Sequence, residues 1–369
     1  MQPIYRAFDY VPRTSTIFGN GSFERLGSIA TSLGFRRILV VSDPGVVNAG
    51  FTARAVKMLW DAGMTVFTFQ DFGPNPDTLT VQACHDYTVP LMIDSIIGLG
   101  GGSSLDLAKA VNFLLTNGGA MKDYQGYGQA ARPMYPMAGI PTTAGTGSEA
   151  QSYCIISDAV TNLKMACGDP QAAFRLAILD PTLTVSQPQE VTASAGYDAL
   201  SHAVESFVTT KGNLMSRMLA REAFRLIESS YEKVLGNPLD LDARGAMLLG
   251  SHYAGMAIEN SMLGATHACA NPLTAHFGTA HGVAIGMLLH HVVRWNSGYA
   301  DYAELRPYLV ERLKELANAA GLPKDLRSAG VDPSIFETLA REAGDQWTGK
   351  YNPRPFDAAG ALEIYQCAY

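Results

Sequence analysis

The sequence predicts an α/β lobe on a mostly parallel sheet, followed by an all-helical lobe. Three observations predict it. Apolar strand-like runs alternate with amphipathic helical stretches over the first half of the chain. From Thr192 onward only the helical spacing continues. A length of 369 residues exceeds what a single core usually holds. Asp180-Pro181 closes the last strand-like run, so the domains are placed at residues 1–184 and 185–369.

Element by element, an extended start leads to Thr16-Ile17-Phe18, a Gly turn and helical spacing over Phe23–Leu33. Arg37–Asp43 is a buried strand that ends in a carboxylate, and Pro44-Gly45 opens a helix running through Trp60. Thr65–Phe69 is the next strand, and a turn-rich Gly73-Pro74-Asn75-Pro76-Asp77 precedes another helix. Asp94–Gly100 is a further strand, and Gly100-Gly101-Gly102-Ser103 turns it into a helix over Leu107–Leu115. In such sheets, ligands bind beyond the carboxyl ends of the strands. Glycines there let backbone approach a pyrophosphate, which the following helix attracts with unpaired N–H groups and a positive dipole end. Tight turns also use glycine for steric reasons alone, so both readings stand.

Asp43 precedes this loop rather than following it by about twenty residues, so this is not the standard dinucleotide fingerprint. A carboxylate at that strand end can accept from ribose hydroxyls and repels a 2′-phosphate, which favours NAD over NADP. Its alternative is to cap the Pro44-Gly45 turn. Pro141–Glu149, rich in Thr, Ser and Gly, either lines a cofactor groove or is a solvated loop, the reading its composition favours. A β-like stretch to Asp158 follows. Helices are expected at Ala195–Val208, Leu214–Leu235, Asp242–Met262, Ala265–Ala275, Val283–Trp295, Ala303–Ala320 and Pro333–Ala343, with Asn237-Pro238, Asn271-Pro272 and Gly278 as punctuation.

A net charge of −7, with no Lys/Arg run, argues against a nucleic-acid surface. The amino terminus lacks a signal-peptide pattern and no apolar stretch approaches a membrane span, so a soluble, cytoplasmic protein is expected. Five scattered Cys without a C-x-x-C pair are read as free thiols. Cys269, two residues from a candidate ligand, is read as a packing residue.

The chemistry-bearing pattern lies in the second half. Asp198 and His202 are four apart, so on a helix both rise from one face. Together with His267 and His281 they make one oxygen and three nitrogen donors, a set suited to Fe(II) or Zn(II) with an open position. A D-x-x-x-H pair alone is more often an ordinary helix face. The low-charge surroundings favour ligation, because a buried imidazole there needs a partner.

Several stretches together resemble the iron-containing (metal-dependent, group III) alcohol dehydrogenases: Ser42–Gly45, Gly100–Ser103 with Asp106, Ala108 and Lys109, Pro141–Glu149, Asp180–Leu183, Gly196–Glu205, His267 fourteen residues before His281-Gly282, and Asn352–Pro355. The resemblance implies the dehydroquinate synthase-like fold of that family, with a dinucleotide-binding lobe, a helical metal-binding lobe and an active site in the cleft between them. It implies metal ligation by Asp198, His202, His267 and His281. It also implies NAD at Asp43, Asn75, Gly101, Gly102, Ser103, Thr142, Thr143, Thr146, Ser148 and Lys164, and at least a homodimer. Asn271 stands where many relatives have a further His. An amide there orients substrate or nicotinamide but does not relay a proton near neutral pH. Glu259 and His276, close in sequence only, and equally bulk water, are the candidate relays.

The expected function is hydride transfer between NAD(H) and a small alcohol, aldehyde or ketone. The alternatives are a maleylacetate-reductase-like keto-acid reductase, a sugar-phosphate cyclase similar to dehydroquinate synthase, and a non-catalytic cofactor-binding protein. The cyclase would need Lys and Arg to grip a phosphate, and the region from Asp198 to His281 is poor in both.

Overall fold

The computed structural model describes residues 7–369; the first six residues of the expected extended start lie outside them. The chain forms two compact units. One comprises Val11–Thr143 and Gly147–Gln187, the other the described residues up to Tyr10 with Ala144–Thr146 and Pro188–Tyr369.

The first unit carries strands β1 (Ser15–Phe18), β2 (Arg37–Val41), β3 (Thr65–Phe69), β4 (Ser95–Gly100) and β5 (Gly126–Tyr127). Strands β6 (Met137–Pro141), β7 (Tyr153–Ser157), β8 (Lys164–Gly168) and β9 (Leu176–Leu179) follow. Its helices are α1 (Leu26–Ser32), α2 (Pro44–Asn48), α3 (Phe51–Asp61), α4 (Thr78–Thr88) and α5 (Gly102–Asn117). Six strands form one sheet in the order β1-β9-β6-β4-β2-β3, with every neighbouring pair parallel.

Strand pleating explains the near-continuous apolar runs. Successive side chains point to opposite faces. Ile38, Val40, Ile97 and Leu99 enter one core with Leu26, Phe35 and Leu59, whereas Leu39, Val41 and Ile96 enter a second with Val111, Phe113 and Met137. A parallel sheet covered on both faces has no solvated side on which polar residues would alternate.

The stretch on either side of Asp158 departs from the parallel expectation. β7 and β8 pair antiparallel, with Cys154 opposite Cys167, in a separate sheet of order β5-β8-β7. Lys164–Gly168 was not expected to be a strand. It holds no β-branched or aromatic residue, so its pairing partners rather than local propensity make it extended.

The helical unit consists of α6 (Gln189–Val208), α7 (Leu214–Gly236), α8 (Leu241–Glu259), α9 (Ala265–Phe277), α10 (His281–Trp295), α11 (Leu309–Ala319), α12 (Phe336–Gly344) and α13 (Ala358–Cys367). α6 packs against α7, α8 and α10, and α9 against α10 and α12. Pro272 lies inside α9 rather than ending it. The helix expected from Ala303 begins only at Leu309, because Tyr308 takes the left-handed conformation with φ 56°. α13 was not expected; Asp357 caps it by accepting from the Gly360 N–H at 2.9 Å. Among the described residues, no helix is long and apolar enough to cross a membrane.

Candidate metal centre and dinucleotide site

In the sheet unit, the residues singled out from sequence gather where β2 and β4 end side by side. The chain leaves β2 for β3 on one side and returns as β4 on the other, which makes this a topological switch point. Asp43 caps α2 here: its Oδ1 accepts from the Gly45 and Val46 N–H groups at 3.0 and 3.2 Å. Its Oδ2 accepts from the Ser104 hydroxyl at 2.9 Å. The capping alternative is therefore realised, and it ties Asp43 to the glycine loop.

Gly100 has φ 151°, and a Cβ there would sit 2.3 Å from Ser104 Oγ, so the turn itself requires glycine. The sixteen-residue α5 starts at Gly102 with no side chain capping its amino end. Asn75, at φ 52°, donates its N–H to Ser103 Oγ at 3.1 Å. Asp43, Asn75, Gly101, Gly102 and Ser103 are thus one neighbourhood.

Pro141–Glu149, whose composition favours a solvated loop, is instead mostly buried. Its anchor is Lys109, fully buried on α5, whose ammonium donates to the Ser148 carbonyl at 2.7 Å, Ser148 Oγ at 2.8 Å and the Tyr153 carbonyl at 2.6 Å. Ser148 in turn donates to Asp106 at 2.5 Å. Burial raises the Asp106 carboxyl, against the pull of Lys109, Ser148 and, more weakly, Lys164. Ser148 is therefore bound into an internal network. At the start of the loop, the Thr142 N–H donates to the Gly100 carbonyl at 3.0 Å. Thr143 and Thr146 are half-buried, and Thr146 belongs to the helical unit.

In the helical unit, α6 presents Asp198 and His202 on one face, as the four-residue spacing predicts. α9 supplies His267 from its first turn, and α10 begins with His281. Three imidazole Nε2 atoms surround one carboxylate oxygen. Asp198 Oδ1 lies 3.5 Å from His202 Nε2, 3.5 Å from His267 Nε2 and 3.9 Å from His281 Nε2.

These separations are long for N–H···O bonds. They match ligands about 3.4 Å apart around a tetrahedral ion with bonds of about 2.1 Å. Among the described residues, Asp198 Oδ1 and His267 Nε2 are buried without a hydrogen-bond partner, a costly arrangement unless a cation fills the space. Asp198, His267 and His281 form the tightest set, with ligand atoms within 4.8 Å of one another. His202 joins through Asp198, and its ring stacks on that of His267 at 4.8 Å.

Burial opposes charge on Asp198, yet His202, His267 and His281 around it hold its carboxyl well below the usual range. Burial lowers His202. Burial also opposes protonation of His267, but Asp198 and Glu205 raise it to about 9. Glu205, on α6, is a site residue to which the sequence reading assigns no role. Burial pushes its carboxyl up and the His267 contact more than reverses this, holding it below its ordinary value. Its position three residues after His202, on the same helix face, is the signal that marks it.

The remaining candidates fall outside the cluster of donors. Asn271 donates its amide N–H to Gln346 Oε1 at 3.0 Å. His276 pairs with Glu342 at 2.9 Å on the surface. Glu259 ends α8 half-buried. Cys269 is fully buried, and burial pushes its thiol up, which fits packing rather than chemistry.

Profiles described as iron-containing alcohol dehydrogenase and as the carboxyl-terminal part of the Fe-containing alcohol dehydrogenase family match residues 13–181 and 192–369. The chain is 31% identical over 363 residues to the NAD-dependent methanol dehydrogenase of Bacillus methanolicus, covering 94% of this chain and 95% of that protein. To the 1,3-propanediol dehydrogenase of Citrobacter freundii it is 30% identical over 385 residues, covering 99% and 100%. Among solved structures it superposes on a 1,3-propanediol oxidoreductase with a TM-score of 0.94 at 29% identity, covering 99% and 100%. On the sulfoacetaldehyde reductase of Bifidobacterium kashiwanohense in complex with NAD+ the TM-score is 0.90 at 25% identity, covering 99% of each chain.

Proposed function

Because the chain belongs to the iron-containing alcohol dehydrogenase family, we propose that it transfers hydride between NAD(H) and a small alcohol, aldehyde or ketone at a divalent metal. The observation that carries this is the set of three imidazole nitrogens around the unpartnered, buried Asp198 Oδ1. When bound, Fe(II) or Zn(II) supplies a Lewis acid for the substrate oxygen, and NAD supplies the hydride exchange.

Asp198, His202, His267 and His281 hold the ion, the carboxylate offsetting part of its charge and the neutral imidazoles adding none. Burial of Asp198, His202 and His267 excludes water from their side, so electrostatic forces there are screened less than in solvent. The sheet unit is the dinucleotide-binding domain and the helical unit the metal-binding domain. Asp43, with Asn75, holds the adenosine ribose and disfavours a 2′-phosphate. Gly101, Gly102 and Ser103, at the uncapped start of α5, hold the pyrophosphate. Thr142, Thr143, Thr146 and Lys164 line the rest of the groove, and Ser148 supports it from within.

Asn271, anchored on Gln346, orients a bound group but does not ionise, so proton exchange passes through water rather than this side chain. The intact donor set disfavours a metal-free keto-acid reductase. We assign the working state as a cytoplasmic dimer or larger homo-oligomer.

The test is reconstitution of stripped protein with Fe(II) or Zn(II), followed by NADH formation over a panel of small alcohols. Metal-dependent turnover is expected from the wild type and not from His267→Ala. Full turnover by a metal-free His267→Ala protein would refute the reading.

A further inference from the structure

We propose that Glu205 is a positioning residue that fixes both the place and the tautomer of His267, an inference resting on the metal reading above. Glu205 lies on α6, the helix of Asp198 and His202, and reaches α9 with both carboxylate oxygens. Oε1 accepts the Thr266 N–H at 2.6 Å, and Oε2 meets His267 Nδ1 at 2.5 Å. All three residues are buried.

The amino end of α9 has no capping side chain of its own. Glu205 supplies one cap from a distance, and Asn352 supplies another by accepting the Ala265 N–H at 3.2 Å. The first turn of α9 is thereby locked to α6, so His267 keeps a fixed relation to the D-x-x-x-H pair.

The tautomer follows from donor and acceptor inventory. A carboxylate only accepts, so its partner Nδ1 carries the proton, and in the neutral ring that an ion requires it is Nε2 that keeps the lone pair. That Nε2 is the atom 3.5 Å from Asp198 Oδ1 and lacks a hydrogen-bond partner. The arrangement is a carboxylate–histidine pair aimed at a cation, which orients the ring and raises its basicity as a ligand.

Glu205→Gln isolates this role. Its amide oxygen can still accept from Thr266, but its NH2 then faces Nδ1. Donor against donor drives the proton to Nε2, the atom the ion needs.

The experiment strips the protein with chelator and titrates Zn(II) by calorimetry, with metal content as a second readout and circular dichroism as the fold check. The expected result is one ion per chain in the wild type and affinity weakened about 10–100-fold in Glu205→Gln, with helix content retained. In a His267→Ala background, the same Gln substitution is expected to leave the residual affinity unchanged. Wild-type affinity in Glu205→Gln, or an undiminished loss in the His267→Ala background, would overturn this inference while the metal reading stands. No Zn(II) uptake by the wild type would sink both.

If Glu205→Gln does not fold, nitrogen-15 histidine NMR of the wild-type zinc form decides. His267 must carry a hydrogen-bonded proton on Nδ1, and an Nε2–H tautomer overturns the proposal.

Discussion

Asp198 gathers the helical site because it is a charged group taken out of water and faced by three imidazoles. Replacing it with Asn keeps the volume and removes the charge. Loss of stoichiometric metal is expected, and retained metal content by elemental analysis would argue that the imidazoles suffice. Gly282, beside His281, has a steric task. A Cβ there would lie 2.1 Å from the Ser194 carbonyl, so α10 can approach α6 this closely only without a side chain. Gly282→Ala is expected to cost about 1–3 kcal/mol by overpacking and to weaken metal binding by shifting His281. Urea unfolding and Zn(II) titration check the two effects separately.

At the scale of elements, the proposed cofactor groove depends on how α5 holds the Pro141–Glu149 loop. Lys109 is inaccessible to water and donates to the carbonyl and the hydroxyl of Ser148 and to the Tyr153 carbonyl. Lys109→Met leaves Asp106 buried without its cation and two carbonyls without their donor. A loss on the order of 3–5 kcal/mol is expected for breaking such a pair. The double change Lys109→Met with Asp106→Asn is expected to recover part of that stability but not the affinity for NAD, since the loop has lost its anchor. Denaturant midpoints and NADH binding by fluorescence test this. NADH affinity at the wild-type value in the double variant would free the loop from this dependence. Much here was legible in sequence, because Gly100 and Asp43 follow strands whose apolar runs announce themselves. The burial of the loop was not, because Thr, Ser and Gly read as solvated until the buried network of Lys109 is known.

For the whole molecule, metal and pH are the levers. An ion that binds only the folded state adds stability in proportion to RT ln(1 + [L]/Kd). Chelation is therefore expected to lower the melting temperature of the wild type, and to lower that of His267→Ala by less, in keeping with its weaker residual affinity. The acid limit of stability has a separate source on α10. Burial, then the neighbouring His291, Lys314 and Arg294, lowers His290 to about 3; burial, then Lys314 and Arg294, lowers His291 to about 4. Both imidazoles are neutral when folded and protonate on unfolding below the ordinary value of 6.5. The unfolded state then binds more protons, so stability is full above pH 6.5 and falls as pH drops toward the folded values. His290 contributes up to about 1.4 kcal/mol per pH unit in that window. Replacing His290 and His291 with Gln is expected to flatten the slope of urea midpoint against pH between about 6 and 4, with an unchanged slope placing the acid sensitivity elsewhere.

By itself, the sequence determined what repeats at short range. Short continuous apolar runs set the strands, helical spacing set the long helices, and the four-residue interval put Asp198 and His202 on one face. Each depends on backbone periods that hold within a single element. Tertiary structure decided what depends on the meeting of distant elements. It brought His267 and His281 to Asp198, gave Glu205 its partner on α9, made a strand of Lys164–Gly168, and tied Asp43 to Ser104 on α5. Those contacts come from packing whole faces together, and no local period in the chain encodes where another helix will arrive.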